Sequence, residues 1–204
     1  MVQSPVKALT LQAFLQQPET KPASEYINGQ VFQKPMPKGK HSLLQTRLSA
    51  VLNSALQPEQ VAWAFSELRC TYPSGSHLTD VYGGRSTVPD VSVFTWARIP
   101  CDDNGEIANA IETHPDWVIE ILSPDQSQTR VTKNILHCLQ YGTQLGWLID
   151  PDEQTVLVYL PPDQVKIFDR PGDVLPTPSF ASNVQLSVGE LFGWLVIRPP
   201  ASDV

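Results

Sequence analysis

Cysteine is scarce in this sequence. Cys70, Cys101 and Cys138 are odd in number and widely spaced, with no C-x-x-C pair, which excludes a disulfide framework and a zinc knuckle and fits a reducing compartment. Long apolar runs are lacking as well: "LFGWLVI" at 191–197 falls far short of the roughly 20 residues that span a bilayer. The opening "MVQSPVKALT" has none of the apolar segment of a secretion signal, so the expected location is cytoplasmic, with no membrane partner. An excess of positive charge is also missing. A formal net charge of -7 excludes a protein that coats nucleic acid by electrostatics alone.

That charge is unevenly placed. Residues 1–50 hold six basic residues, Lys7, Lys21, Lys34, Lys38, Lys40 and Arg47, against Glu19 and Glu25, a balance of +4 that leaves -11 for the remainder. Such a split suits a basic approach surface beside an acidic metal site, and it equally suits ordinary solvated charge.

Several catalytic signatures are absent. There is no G-x-S-x-G elbow, no phosphate-binding G-x-x-x-x-G-K-[ST] loop, no G-x-G-x-x-G and no H-E-x-x-H. The four histidines, His41, His77, His114 and His137, have no metal-ligand spacing and read as surface or cap residues, with His41 an outside candidate for phosphate contact.

With 204 residues, 41% of them hydrophobic, the chain can bury one sizeable core. "LTLQAFLQQ" predicts a short helix, and "EYINGQVFQ" a hairpin turning at Asn28-Gly29. "HSLLQTRLSAVLNSAL", 41–56, aligns Leu44, Leu48, Val51, Leu52 and Ala55 on one helical stripe. Strands follow at 61–72, 90–96 and 117–123. A helix is predicted over 129–142 and further strands at 146–150, 155–160 and 165–168; Ser187 and Glu190 then stand in capping-box spacing before a last short helix. The expected architecture is a single α/β domain over 1–204, a mixed β-sheet flanked by helices. Residues 1–24 form a helix and arm, 25–160 the core, and 161–204 a strand and helix extension.

The chemistry lies in carboxylates on strands. In "WVIEILS" alternation sends Val118, Glu120 and Leu122 to one face and Trp117, Ile119 and Ile121 to the other, and both faces are apolar, as in a central strand covered on both sides. An unpaired carboxylate there is costly to desolvate. Two partners suit Glu120. One is a divalent metal shared with Asp90, which stands at the mouth of the neighbouring strand. The other is an arginine, Arg69 or Arg85, with Pro89-Asp90 serving only as a turn.

"VPDVSVF", then "PDWVIEILSPDQ", a lysine-bearing helix, "GTQLGWLIDP" and "TVLVY" resemble a large bacterial endonuclease family within the PD-(D/E)xK, restriction endonuclease-like superfamily. The resemblance runs from "ASEYINGQVF" through "VLVYL", and "VPD" rather than "HPD" at 114–116 matches the motif by position. It implies that Asp90, Glu120 and the backbone carbonyl of Ile121 bind Mg²⁺ or Mn²⁺, that Glu67 is an additional acidic residue near the site, and that the substrate is nucleic acid, in the first place DNA. Superfamily nucleases are often homodimers, and the late strand "TVLVYL" is a candidate for pairing across a two-fold.

The sequence departs from the pattern at Leu122, where the superfamily has lysine. In the resembling family the lysine lies on the following helix, where Lys133 is the nearest counterpart and Asn134 takes the more typical place; Arg130 or Gln128 are substitutes within reach. The reading is therefore a metal-dependent endonuclease. A catalytically degenerate binding or assembly protein, and a hydrolase of another phosphate ester, stay open.

Overall fold

A computed structural model describes residues 9–72, 84–124, 126–162 and 164–197. The described strands form two sheets: an antiparallel one of four in the order β2 (Gln30–Gln33), β1 (Ser24–Ile27), β5 (Arg85–Thr87), β4 (Cys70–Tyr72), and a mixed one of six in the order β10 (Gln164–Phe168), β9 (Thr155–Leu160), β8 (Leu145–Asp150), β7 (Trp117–Ile121), β6 (Val91–Thr95), β3 (Ala62–Ser66). After a short helix α1 (Leu11–Leu15), β1 (Ser24–Ile27) and β2 (Gln30–Gln33) make the expected hairpin. Asn28 and Gly29 both take positive φ, 49° and 84°, as a two-residue hairpin turn requires. In the larger sheet β6 (Val91–Thr95) pairs antiparallel with β3 (Ala62–Ser66) and with β7 (Trp117–Ile121). Among the described strands one pair is parallel, β7 with β8 (Leu145–Asp150), and α3 (Gln128–Gln140) is the crossover between them.

The alternation read in "WVIEILS" is observed. Trp117, Ile119 and Ile121 pack with Leu44, Leu48, Leu52 and Leu56 of α2 (Gly39–Leu56), while Val118 and Leu122 pack with Val131, Ile135 and Cys138 of α3. Each fully buried leucine of α2 contributes about 2 kcal/mol relative to exposure. The indoles of Trp117 and Trp147 meet edge to face with centroids 4.7 Å apart. On the predicted α2 stripe Val51 is exposed, and buried Gln45 and His41 extend the inner face instead, toward the helix N-terminus.

The stretch 61–72 is not one strand. It splits at Glu67, whose φ is +51°, into β3 and β4 (Cys70–Tyr72), which belong to different sheets. The chain returns from the smaller sheet to the larger between β5 (Arg85–Thr87), a strand the sequence pattern does not reveal, and β6. Asp90 lies on that return, so two sheet-to-sheet passages meet where the Glu67 N–H donates to the Asp90 carbonyl at 3.2 Å. Strand β9 (Thr155–Leu160), expected as an exposed pairing edge, is interior. The edge is β10 (Gln164–Phe168), with Val165 and Ile167 exposed. The C-terminal α4 (Val188–Gly193) carries the predicted Ser187–Glu190 capping box. Among the described residues no helix is long and apolar enough to cross a membrane.

Candidate active site

Asp90 and Glu120 come together as adjacent strands require, both at least 97% buried. The Asp90 carboxylate is held from three directions. Oδ2 accepts the Ile121 N–H at 2.7 Å and lies 3.1 Å from His41 Nε2, and Oδ1 accepts Lys34 Nζ at 2.7 Å. The Asp90 carbonyl also accepts Gln45 Nε2 at 2.9 Å, so α2 grips both the side chain and the backbone of this residue. Lys34, just past β2, donates further to the Val88 carbonyl at 2.8 Å and lies 3.6 Å from Glu120 Oε2.

Glu25 on β1 is a third buried acid. Its Oε1 accepts the Val88 N–H at 3.0 Å, and its Oε2 accepts Asn134 Nδ2 at 3.1 Å. Three buried carboxyl groups thus surround one ammonium. Burial pushes the Glu120 carboxyl well above the usual carboxylate range; Lys34 opposes this, and Asp90 and Glu25 add to it. For Asp90 burial acts in the same direction, but the attraction of Lys34 and the contact with His41 outweigh it and hold the group well below that range. The Lys34 ammonium keeps its proton far more tightly than a free lysine: burial weakens its hold, but Asp90, Glu120 and Glu25 more than compensate.

A cavity of about 360 Å³ opens over this cluster. Lys34, His41, Asp90, Glu67, Ser123 and Gln126 contribute to its wall. Glu67 is exposed there, one residue beyond β3 rather than within it, and its left-handed backbone is uncommon for a residue with a side chain. Hard oxygen donors and a surplus of negative charge suit a divalent cation. A cation held by a few protein oxygens completes its coordination with water. Among the described residues no group of three or more His, Cys, Asp or Glu side chains is arranged to hold a metal.

The other candidate residues lie elsewhere in the fold. Lys133 is exposed and lines a second cavity with Arg130, because the helical phase of α3 turns its neighbour Asn134 inward to Glu25. Gln128 is exposed as well. Neither arginine suggested as a partner pairs with Glu120: Arg69 binds Glu19 through two contacts of 2.9 and 2.7 Å, and Arg85 donates to the Lys133 carbonyl at 3.3 Å. Histidines 41 and 137 are buried rather than surface residues, the latter stacked edge-on to Tyr72 at 4.7 Å. His77 lies outside the described residues. Lys34 and Glu25 were visible only as part of the N-terminal charge count; what marks them is the hairpin, which carries both toward Val88 and Asp90.

A protein-family model described as "Putative restriction endonuclease", Uma2, matches residues 11–189. Among solved structures, the chain is similar to "a putative nuclease belonging to DUF820" from Anabaena variabilis, with 59% sequence identity and a TM-score of 0.85. The match covers 92% of this chain and 99% of that one. No curated protein matches the chain significantly.

Proposed function

The chain belongs to the Uma2 restriction endonuclease-like family, and on that premise we propose that it is a Mg²⁺-dependent endonuclease that hydrolyses phosphodiester bonds in DNA. The observation that carries this reading is the buried pair of carboxylates Asp90, one residue before β6, and Glu120 on the neighbouring β7, which share Lys34 at the wall of the open cavity that Asp90 and Lys34 line.

Asp90, Glu120 and the carbonyl of Ile121 would hold the ion, Mn²⁺ serving in place of Mg²⁺. The bound metal would polarise the scissile phosphate and lower the pKa of an attacking water. The remaining work falls to the chain. The Ile121 N–H and His41 fix the Asp90 carboxylate, so one of its oxygens is committed to position and the other faces Lys34. Lys34 takes the part of the missing motif lysine: its ammonium, aimed from β2, supplies positive charge where the phosphate accumulates negative charge in the transition state. Glu67, on the cavity wall, is the additional acid and orients water at the open side. The assembly proposed is a homodimer in which two sites address the two DNA strands, with edge strand β10 as the surface available for pairing in place of β9.

The test is nicking of supercoiled plasmid by purified protein with Mg²⁺ or Mn²⁺, beside EDTA and the Glu120→Ala variant. Cleavage that disappears in both controls supports the assignment. Equal traces of nicking in wild type and variant, or cleavage of small phosphodiesters but not of DNA, would overturn it. Metal binding without turnover on any substrate would make the fold a binding scaffold.

A further inference from the structure

The second cavity, of about 480 Å³, gathers Arg85, Arg130 and Lys133, and among the described residues the rest of its lining includes no carboxylate. In a chain of net charge -7 this is a local concentration of positive charge. The cations are positioned rather than merely exposed. Arg130 lies over the ring of Phe32, its guanidinium carbon 4.3 Å from the centroid, a cation–π contact that fixes where the charge sits. Arg85 is tied to α3 through the Lys133 carbonyl. Ser127 and Thr129 add hydroxyls at the first turn of the same helix, where the helix dipole also favours an anion.

The cavity adjoins the carboxylate cluster in two ways. Asn134 lines it and donates to Glu25, one of the three buried acids. Strand β2 contributes Phe32 here and, two residues on, Lys34 to the other cavity, a separation of about 7 Å along extended chain. We propose that this cavity binds backbone phosphates of the nucleic acid next to the scissile position, and that Arg130 and Lys133 are positioning residues for the substrate strand. The identity of the polyanion rests on the endonuclease reading; the recognition itself is by phosphate charge and carries no base preference.

The experiment measures fluorescence anisotropy of short labelled duplex DNA, single-stranded DNA and RNA with the full chain in EDTA, over a series of salt concentrations. Wild type is compared with Arg130→Gln, Lys133→Gln, the double variant and Lys133→Arg, each checked for an unchanged unfolding midpoint. The double variant is expected to bind about tenfold or more weakly, and its slope of log affinity against log salt to be smaller by about 2, close to one unit per lost phosphate contact. Lys133→Arg is expected to keep the wild-type slope. Affinity and slope unchanged in the double variant, or no binding of any probe by wild type, would overturn the proposal. Plasmid cleavage with no effect of these variants on binding would leave the nuclease standing and remove this subsite. Weakened binding in a protein that cleaves nothing would do the reverse.

Discussion

Lys34 Nζ lies 2.7 Å from Asp90 Oδ1, across 56 positions of sequence. The contact brings the hairpin onto the return between the two sheets and places a partly buried ammonium among three buried acids. Replacing Lys34 by Met removes the charge and leaves Asp90 and Glu120 without their common cation. Breaking one side of a buried pair costs about 3–5 kcal/mol, so Lys34→Met is expected to lower the urea midpoint strongly and to abolish plasmid nicking. Lys34→Arg keeps the charge but not the compact single-point donor; it is expected to recover most of the stability and little of the cleavage.

The contrast between Lys34 and Lys133 marks how far the site was legible in the sequence. Asp90 and Glu120 stood out because a charge inside an apolar strand needs a partner, and period-two alternation gave the correct face for Glu120. The helices and the hairpin announced themselves through stripes and the Asn-Gly turn. What the pattern could not carry was contact between distant segments. Lys34 sits at the end of an unremarkable exposed strand, and only the pairing of β1 with β5 brings it to Asp90. The helical lysine drew attention by nearness in sequence, yet one residue of helical phase, about 100°, turns it outward and Asn134 inward. The break at Glu67 escaped for a similar reason, since nothing in "FSELRC" demands a positive φ.

Thiol chemistry checks the packing of the second core. Burial pushes both Cys70 and Cys138 up to about 12, so at neutral pH they are protonated as well as enclosed. Cys101 is exposed. Native protein treated with a thiol-reactive disulfide reagent is expected to release one equivalent promptly, and denatured protein three. Mass mapping should place the native label on Cys101; early labelling of Cys70 or Cys138 would contradict the described core.

Gly146 on β8 tests how α3 is seated. A Cβ added there would collide with Ile135 Cγ2 and press on Val118 Cγ1, joining the helix to two strands at a point with no room. Gly146→Ala is expected to destabilise by about 1–3 kcal/mol through overpacking. Ile135→Leu moves the branch away from that point, so the double variant should lose less than the sum of the two single losses in equilibrium unfolding. Additive losses would show that the helix does not bear on Gly146.

The two buried carboxylates Asp90 and Glu120 should respond to neutralisation with opposite signs. Asp90 is held below the usual range, so its contribution to stability is present above the unfolded value of about 3.9 and is lost as pH falls through the depressed folded value. Asp90→Asn gives up charge-assisted contacts with Lys34, His41 and the Ile121 N–H, and is expected to destabilise by about 3 kcal/mol or more at neutral pH. Glu120 is raised instead. The folded protein then binds more protons than the unfolded chain from about 4.3 upward, and stability falls as pH rises through the folded value. Glu120→Gln removes that pH-dependent cost while Lys34 keeps Asp90 as its partner, so the variant should be more stable than wild type at neutral pH and little changed at acid pH. Both variants should be inactive on plasmid, which separates catalytic loss from folding loss. Urea unfolding of the three proteins across acid to neutral pH measures the signs, and a destabilised Glu120→Gln at neutral pH would mean that Glu120 is ionised and held by Lys34 as firmly as Asp90 is.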